Sequence, residues 1–510
     1  MVMAADGAAT VPVLIVGAGP SGLFAAVELA RHGIRARLIE REPVQLRQAR
    51  ATALQPGTLE ILAQAGTLDQ VLDSSVHVHF TRVFDTGLRQ LSESAFAGIG
   101  SPWEFQCSLP QWRTEEILAG RLAELGGTVE RGVSAVSMRD RDDGVQVELR
   151  HADGTPERII ANWVIGAGGA HSVTRESMTG DLAGTTYPGT ALVAEVAVSC
   201  ALPRDGSALI AAPEGYVLLA PLPGGRWLTF IGDLSDDETA RLARGGSAES
   251  VSEFMARRTG SSVLVQDVGW SAAFRMHRRS AARVADTRWF LLGDAAHLSS
   301  PFGGEGLNSG LHDAHNLAWK LALEVHGQAR PGLLASFAAE RGAADRHVLE
   351  VSDGVHALAH GAVEAARTGR EQASASPEQA AALTRARSML DTSYRDSPLT
   401  GEYVAPGQPA GLAAPAPGER YPDRAGLPGT AHHVLVFGDR GKADLDQLRG
   451  RRKGLAEVVR PTTDPGRAGL AAAGLILVRP DGQIGFRANA ADPAALAALD
   501  AHLGSYLVAA

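Results

Sequence analysis

Two uncharged runs, Val-Pro-Val-Leu-Ile-Val at 11–16 and Trp-Phe-Leu-Leu at 289–292, are each followed by glycines and then by apolar residues at helical spacing. Short apolar runs predict buried strands, and recurrence every third or fourth residue predicts a helix packed on them. After the first run, Gly17-Ala18-Gly19-Pro20-Ser21-Gly22 leads into a helix over 23–32 and a second strand over 35–39, closed by Glu40. After the second, Gly303, Gly304 and Gly306 lead into a helix marked by Leu307, Leu311, Ala314, Ala318, Leu321 and Val325. Turns of this kind offer free backbone N–H groups and a positive helix end to an anionic ligand.

Elsewhere the pattern changes its period. Residues 145–149 alternate as a hairpin strand, 158–161 follow across the Asp153-Gly154 turn, and 163–165 return to the central sheet. From 183 to 282 strands with turn punctuation (191–198, 215–222, 227–231, 263–270) predict an inserted antiparallel sheet. Its aromatics Tyr216, Trp227, Phe230 and Trp270, with Phe302, are candidates for an apolar substrate pocket, although each such residue alone is more often core than ligand contact. Helices are expected from 57 to 65, from the Leu109-Pro110-Gln111-Trp112 segment onward, and over 333–365, with 366–382 as a connection. The Pro-, Gly- and Ala-rich stretch 398–428 predicts a linker. Beyond it come strands over 433–438, 475–479 and 483–487, and a helix over 493–506.

With 510 residues, 45% of them hydrophobic, the chain supports several cores. A net charge of −9 without a basic stripe argues against nucleic acid or an anionic membrane as partner and favours a small molecule. Cys107 and Cys200 are its only cysteines, so neither a disulfide framework nor a structural metal site is indicated. No leader and no membrane span are read, and a cytoplasmic location is expected.

The first turn carries the chemistry most plainly. A GxGxxG between strand and helix, with an acid about 20 residues on, is the dinucleotide fingerprint. Gly17, Gly19 and Gly22 admit a pyrophosphate, Pro20 and Ser21 open the helix, and Glu40 takes the adenosine ribose beside Arg41. At the second turn Asp294 follows the strand and can bond a ribityl hydroxyl. His312 and His315, at i and i+3, are expected on a polar helix face in a solvated or capping role, and His297 as a structural hydrogen-bonder.

Together, residues 11–60 and the Gly293-Asp294-Ala295-Ala296-His297 segment with the glycine turn after it resemble the flavin-dependent aromatic hydroxylases of group A, the para-hydroxybenzoate hydroxylase family. The branch most similar is that of the actinobacterial phenol and polyketide hydroxylases. The resemblance implies an α/β fold: a discontinuous Rossmann-like FAD-binding domain (1–182 and 283–397), an inserted antiparallel-sheet substrate domain (183–282), a linker (398–428) and a thioredoxin-like domain without CxxC (429–510). Such a tail has a packing or dimerisation role, and a homodimer is among the expectations.

By the same resemblance Arg50 and Gln111 contact FAD, and Gly306, Leu307 and Asn308 bind it while Pro301, Gly303 and Gly304 help position its ring. His171, Ser172 and Arg175 match a motif serving the nicotinamide nucleotide. Two positions depart from the family: Gly168-Gly169 stands for the usual Asp-Gly, and Glu305 for the more frequent glutamine, a carboxylate that disfavours a reduced anionic flavin. The implied activity is hydroxylation of a phenolic or polycyclic aromatic of polyketide type, using FAD, NADPH or NADH, and O2 through a flavin C4a-hydroperoxide. Baeyer–Villiger insertion or epoxidation is the enzymatic alternative. A flavin-binding protein without oxygenase turnover is the alternative of another class.

Overall fold

Strand Ala9–Val16 holds the centre because its last four residues are apolar and buried, as a parallel sheet covered on both faces requires. It pairs in parallel with Arg37–Glu40 on one side and Pro156–Gly166 on the other. The first of these neighbours leads on to Val129–Arg131, and the second to Trp289–Leu291, both in parallel. The computed structural model describes residues 2–3, 9–48, 51–187, 189–243, 248–369, 376–407, 414–427, 429–438, 450–451, 456–461, 464–470 and 473–508.

The segments read separately as 158–161 and 163–165 form one strand, Pro156–Gly166. Its first half pairs antiparallel with Gly144–His151 while its later residues pair in parallel with Trp289–Leu291. Helices Pro20–Arg31 and Gly306–Val325 pack on this sheet and on each other through Leu23, Val27, Leu311 and Leu317. The two glycine turns, nearly a whole domain apart in sequence, thereby meet.

A second sheet runs in the order Val263–Phe274, Ala191–Cys200, Trp227–Ile231, Gly215–Pro221, Gly206–Ala212, Phe80–Phe84, Gln90–Ala95. It therefore reaches beyond the 183–282 boundary, taking in a hairpin from 80–95. Phe80–Phe84 joins in parallel, Phe84 opposite Ile210, a pairing between distant segments that local patterning does not register. Alternation along the strands separates two faces. Ile210, Val217, Trp227 and Ile231 bury against Val251 and Phe254 of helix Ala248–Thr259, whereas Leu209, Leu218, Leu228 and Phe230 look the other way.

The stretch 398–428 is more than a spacer. Gly401–Tyr403 supplies an edge strand to the tail's sheet, whose order continues Ile484–Ala488, Gly474–Val478, His432–Phe437, Ala456–Val459. Arg420 and Arg424 both bond the fully buried carboxylate of Glu60, at 2.9 and 2.6 Å. Helix Pro493–Tyr506, capped by Asp492 on the amide of Ala495 at 2.8 Å, covers one face of the sheet. Among the described residues no helix is long and apolar enough to cross a membrane.

Candidate active site

Gly17 ends the central strand with φ +105°, a conformation side chains rarely adopt, and a Cβ there would lie 2.5 Å from the carbonyl oxygen of Ala167. Gly22 is constrained by contact instead: its Cβ would stand 1.9 Å from the carbonyl oxygen of Gly17. The carboxylate of Glu40 accepts the amides of Ala18 at 2.8 Å and Glu42 at 3.0 Å, fixing the turn from the neighbouring strand. Ser21 joins the front and rear segments, since its hydroxyl fills the space that a Cβ at Gly293 or Gly310 would take, at 2.5 and 2.2 Å.

At the rear turn Ser309 donates to the carbonyl of Glu305 at 2.7 Å, so the amides of Gly306, Leu307 and Asn308 precede the first helical bond. The Asn308 side chain is committed elsewhere. It accepts the amide of Gln55 at 2.9 Å and donates to the carbonyls of Ala53 at 2.8 Å and Gly304 at 2.6 Å, bracing the turn against strand Ala53–Leu54.

One cavity of about 1930 Å3 runs from the front turn to the rear turn and on beneath the second sheet. Of the residues expected to hold FAD, Gly17, Gly19, Pro20, Ser21, Glu40, Arg41, Gln111, Asp294, Gly306 and Leu307 line it, as do the ring-positioning candidates Pro301, Gly303 and Gly304. Gly22 and the Asn308 side chain lie behind the wall, and Arg50 falls outside the described residues. The glycines along this cavity and the exposed Asp294 suit a dinucleotide.

Other expected residues are redistributed by packing. His171 faces the cavity, but Ser172 is buried and accepts the amide of Arg175 at 3.2 Å as a helix cap. Arg175, also buried, donates to the carbonyls of Ala170 at 2.9 Å and Gly180 at 3.3 Å, so its guanidinium serves its own loop. Of the five aromatics only Phe230 and Phe302 line the cavity. Trp227 points to the opposite sheet face, Trp270 packs beside Phe230 in a side cluster, and Tyr216 backs Phe302 with ring centroids 4.8 Å apart. His312 and His315 are buried rather than solvated, because helix Gly306–Val325 is enclosed on nearly every side. Nδ1 of His315 lies 2.9 Å from the Glu28 carboxylate.

His297 anchors the segment after Asp294. Its Nε2 lies 2.9 Å from Asp313 and 3.5 Å from Asp345, and Arg341 bonds the same carboxylates at 2.7 and 3.1 Å. Arg341 already supplies the cation that such a cluster would otherwise take as a metal. Burial alone would depress the imidazolium, yet Asp345 and Asp313 outweigh it and hold its pKa up at about 9. That value exceeds the roughly 6.5 of an unfolded histidine, so the contribution is complete below about pH 6.5 and fades as pH rises through about 9, worth about 3 kcal/mol. His297→Gln is expected to lower the urea midpoint at pH 6 and to flatten its decline between pH 6.5 and 9, relative to the unsubstituted protein.

Comparison with known proteins gives a consistent picture. The family model for the FAD binding domain matches residues 10–352. The 6-methylpretetramide 4-monooxygenase of Streptomyces rimosus is 40% identical over 337 residues, covering 64% of this chain and 58% of that relative's length. Among solved structures, aklavinone-11 hydroxylase in complex with FAD and aklavinone has a TM-score of 0.78 at 26% identity, over 97% of this chain and 98% of that one. Anhydrotetracycline hydroxylase OxyS from Streptomyces rimosus has a TM-score of 0.75 at 26% identity, over 98% and 99%.

Proposed function

Because the chain belongs to the FAD binding domain family, we propose that it is an FAD-dependent, NAD(P)H- and O2-consuming monooxygenase hydroxylating a phenolic or polycyclic aromatic of polyketide type. The observation that carries this reading is the single cavity joining both glycine turns to an apolar sheet face. Its dinucleotide end and its substrate end are one space.

Bound FAD supplies the redox chemistry and the activation of O2. The chain's own tasks are binding, orientation and exclusion of water. Gly17 and Gly19 would let a pyrophosphate approach the backbone, Glu40 and Arg41 would flank the adenosine end, and Asp294 would take a ribityl hydroxyl. The amides of Gly306 and Leu307, at a positive helix end, would favour an anionic group held against them. Leu209, Leu218, Leu228, Phe230 and Phe302 form apolar walls that fit a planar ring system and keep the reacting edge dry. The names of the similar proteins, which include 6-methylpretetramide 4-monooxygenase, anhydrotetracycline hydroxylase, aklavinone-11 hydroxylase and pentachlorophenol 4-monooxygenase, support an aromatic substrate of this range.

Purified protein is expected to be yellow and to oxidise NADH or NADPH faster when a phenolic is present, with a product heavier by about 16 mass units, one oxygen atom. Flavin-loaded protein that never consumes O2 with either donor across a phenol panel overturns the reading.

A further inference from the structure

Helix Pro377–Arg387, much of it expected only as a connection, brings Ala380, Leu383 and Arg387 to the cavity wall at a spacing that shares one helical face. Val355, Ala359 and Ala362 do the same on helix Ala335–Thr368, which packs beside it. Apolar side chains on two helices thus flank the approach to Arg387. That residue is 8% exposed, makes no hydrogen bond or ion pair to any described residue, and keeps its Nε buried without a partner. Gln106, 5% exposed, also lines the cavity, and its side-chain amide likewise bonds no described residue.

Both residues are seated against one segment, 53–57. Strand Gln106–Ser108 pairs with Ala53–Leu54, Ser108 opposite Ala53, so alternation turns Gln106 to the side of Ala53, itself on the cavity. The carbonyl of Ser388, next after Arg387, accepts the Gly57 amide at 2.8 Å. Glu305 is the one charged neighbour acting on Arg387 among the described residues. It is enclosed in the rear turn behind Gly303, forms no ion pair with Arg387, and does not line the cavity. Burial raises its pKa to about 7 although Arg387 opposes the rise, so below neutrality it carries little counter-charge.

A guanidinium cannot shed its charge, and a buried cation is costly unless an anion pairs with it. Its planar fork matches the two oxygens of a carboxylate. Resting on the aromatic-hydroxylase reading, we propose that Arg387 and Gln106 form a subsite for a carboxylate carried by the aromatic substrate, Arg387 taking both oxygens and Gln106 donating one amide hydrogen. The rings then lie along the apolar faces of the two helices. An acid pinned at one point restricts their orientation, so the subsite selects the substrate and also the edge it presents to the rear turn.

The test uses FAD-loaded protein with 2-naphthoate and its neutral isostere 2-naphthamide at about pH 6, where a carboxylic acid of pKa about 4 is ionised. Calorimetry is expected to show naphthoate binding at least about tenfold more tightly than naphthamide to the unsubstituted protein. Arg387→Met abolishes that preference by weakening naphthoate alone, and Arg387→Lys restores part of it. Gln106→Leu weakens naphthoate about threefold, the loss of one hydrogen bond. FAD affinity, followed by flavin fluorescence, stays unchanged in every variant.

Absence of a preference on the unsubstituted protein, an Arg387→Met variant that loses both ligands alike, a Gln106→Leu variant that binds naphthoate fully, or weakened FAD in place of weakened naphthoate overturns the subsite. Phenol-stimulated NAD(P)H oxidation without the preference leaves the proposed function standing and removes the subsite. A preference that vanishes with Arg387→Met, in a protein that never consumes O2, keeps the subsite and removes that function.

Discussion

Gly19→Ala is expected to leave the apoprotein's Tm nearly unchanged while weakening FAD roughly 100-fold, about 2.7 kcal/mol. The backbone at Gly19 has φ −71°, open to any residue, and a Cβ there meets nothing within 4 Å. The free chain thus has room for the methyl group. Because Gly19 lines the cavity, that room is the space a pyrophosphate needs against the turn, and only the ligand should register the change. Gly22→Ala serves as the contrasting variant. Its Cβ would press on the carbonyl of Gly17 at 1.9 Å and on the Ala167 methyl at 3.2 Å, so both the apoprotein's Tm and the FAD affinity are expected to fall. Flavin-fluorescence titration of apoprotein and a thermal melt without flavin separate the two. Gly19→Ala with full FAD affinity would remove the front turn from the cofactor site.

The contrast also explains which parts of the site were legible beforehand. Gly17, Gly19, Glu40 and Asp294 sit where local spacing dictates, at strand ends whose apolar runs are short and unmistakable. Glu305 stood out as a chemical departure, but its burial was invisible until the turn folded over Gly303. Strand period decided the aromatics. Trp227 and Phe230 lie three residues apart in Trp227–Ile231 and so face opposite sides, and only register tells which side is the cavity. The hairpin at 80–95 and the cavity-facing Arg387 escaped because each is placed by a partner far away in sequence. Arg175 illustrates the converse: its residue type suits a phosphate, yet two of its three guanidinium nitrogens donate to nearby carbonyls.

Distance in sequence also governs the second large effect, at the junction with the tail. Glu340, fully buried in helix Ala335–Thr368, accepts Lys320 Nζ at 2.6 Å and both terminal nitrogens of Arg479 at 2.6 and 2.9 Å. Arg479 also bonds Asp481, and Asn316 donates to Glu340 and Asp481 at 2.7 and 2.9 Å. Two cations and two anions, 4% exposed or less, therefore balance across the seam between the FAD-side helices and the tail. Around them Trp319 and Leu333 share one apolar cluster with Val434, Leu477 and Leu499.

Removing Glu340 leaves Lys320 and Arg479 facing Asp481 alone in a low-dielectric setting, a loss of roughly 3–5 kcal/mol. Glu340→Ala is accordingly expected to lower the urea midpoint far more than the charge-balanced pair Lys320→Met with Glu340→Gln, which discards one cation and one anion together. Deleting 429–510 takes Arg479 and Asp481 away and uncovers Trp319, so the remaining chain is expected to aggregate rather than bind FAD. A tail-less protein that stayed monomeric and yellow would show that the seam contributes little, whereas its aggregation would make the cysteine-free tail a structural wall of the flavin unit.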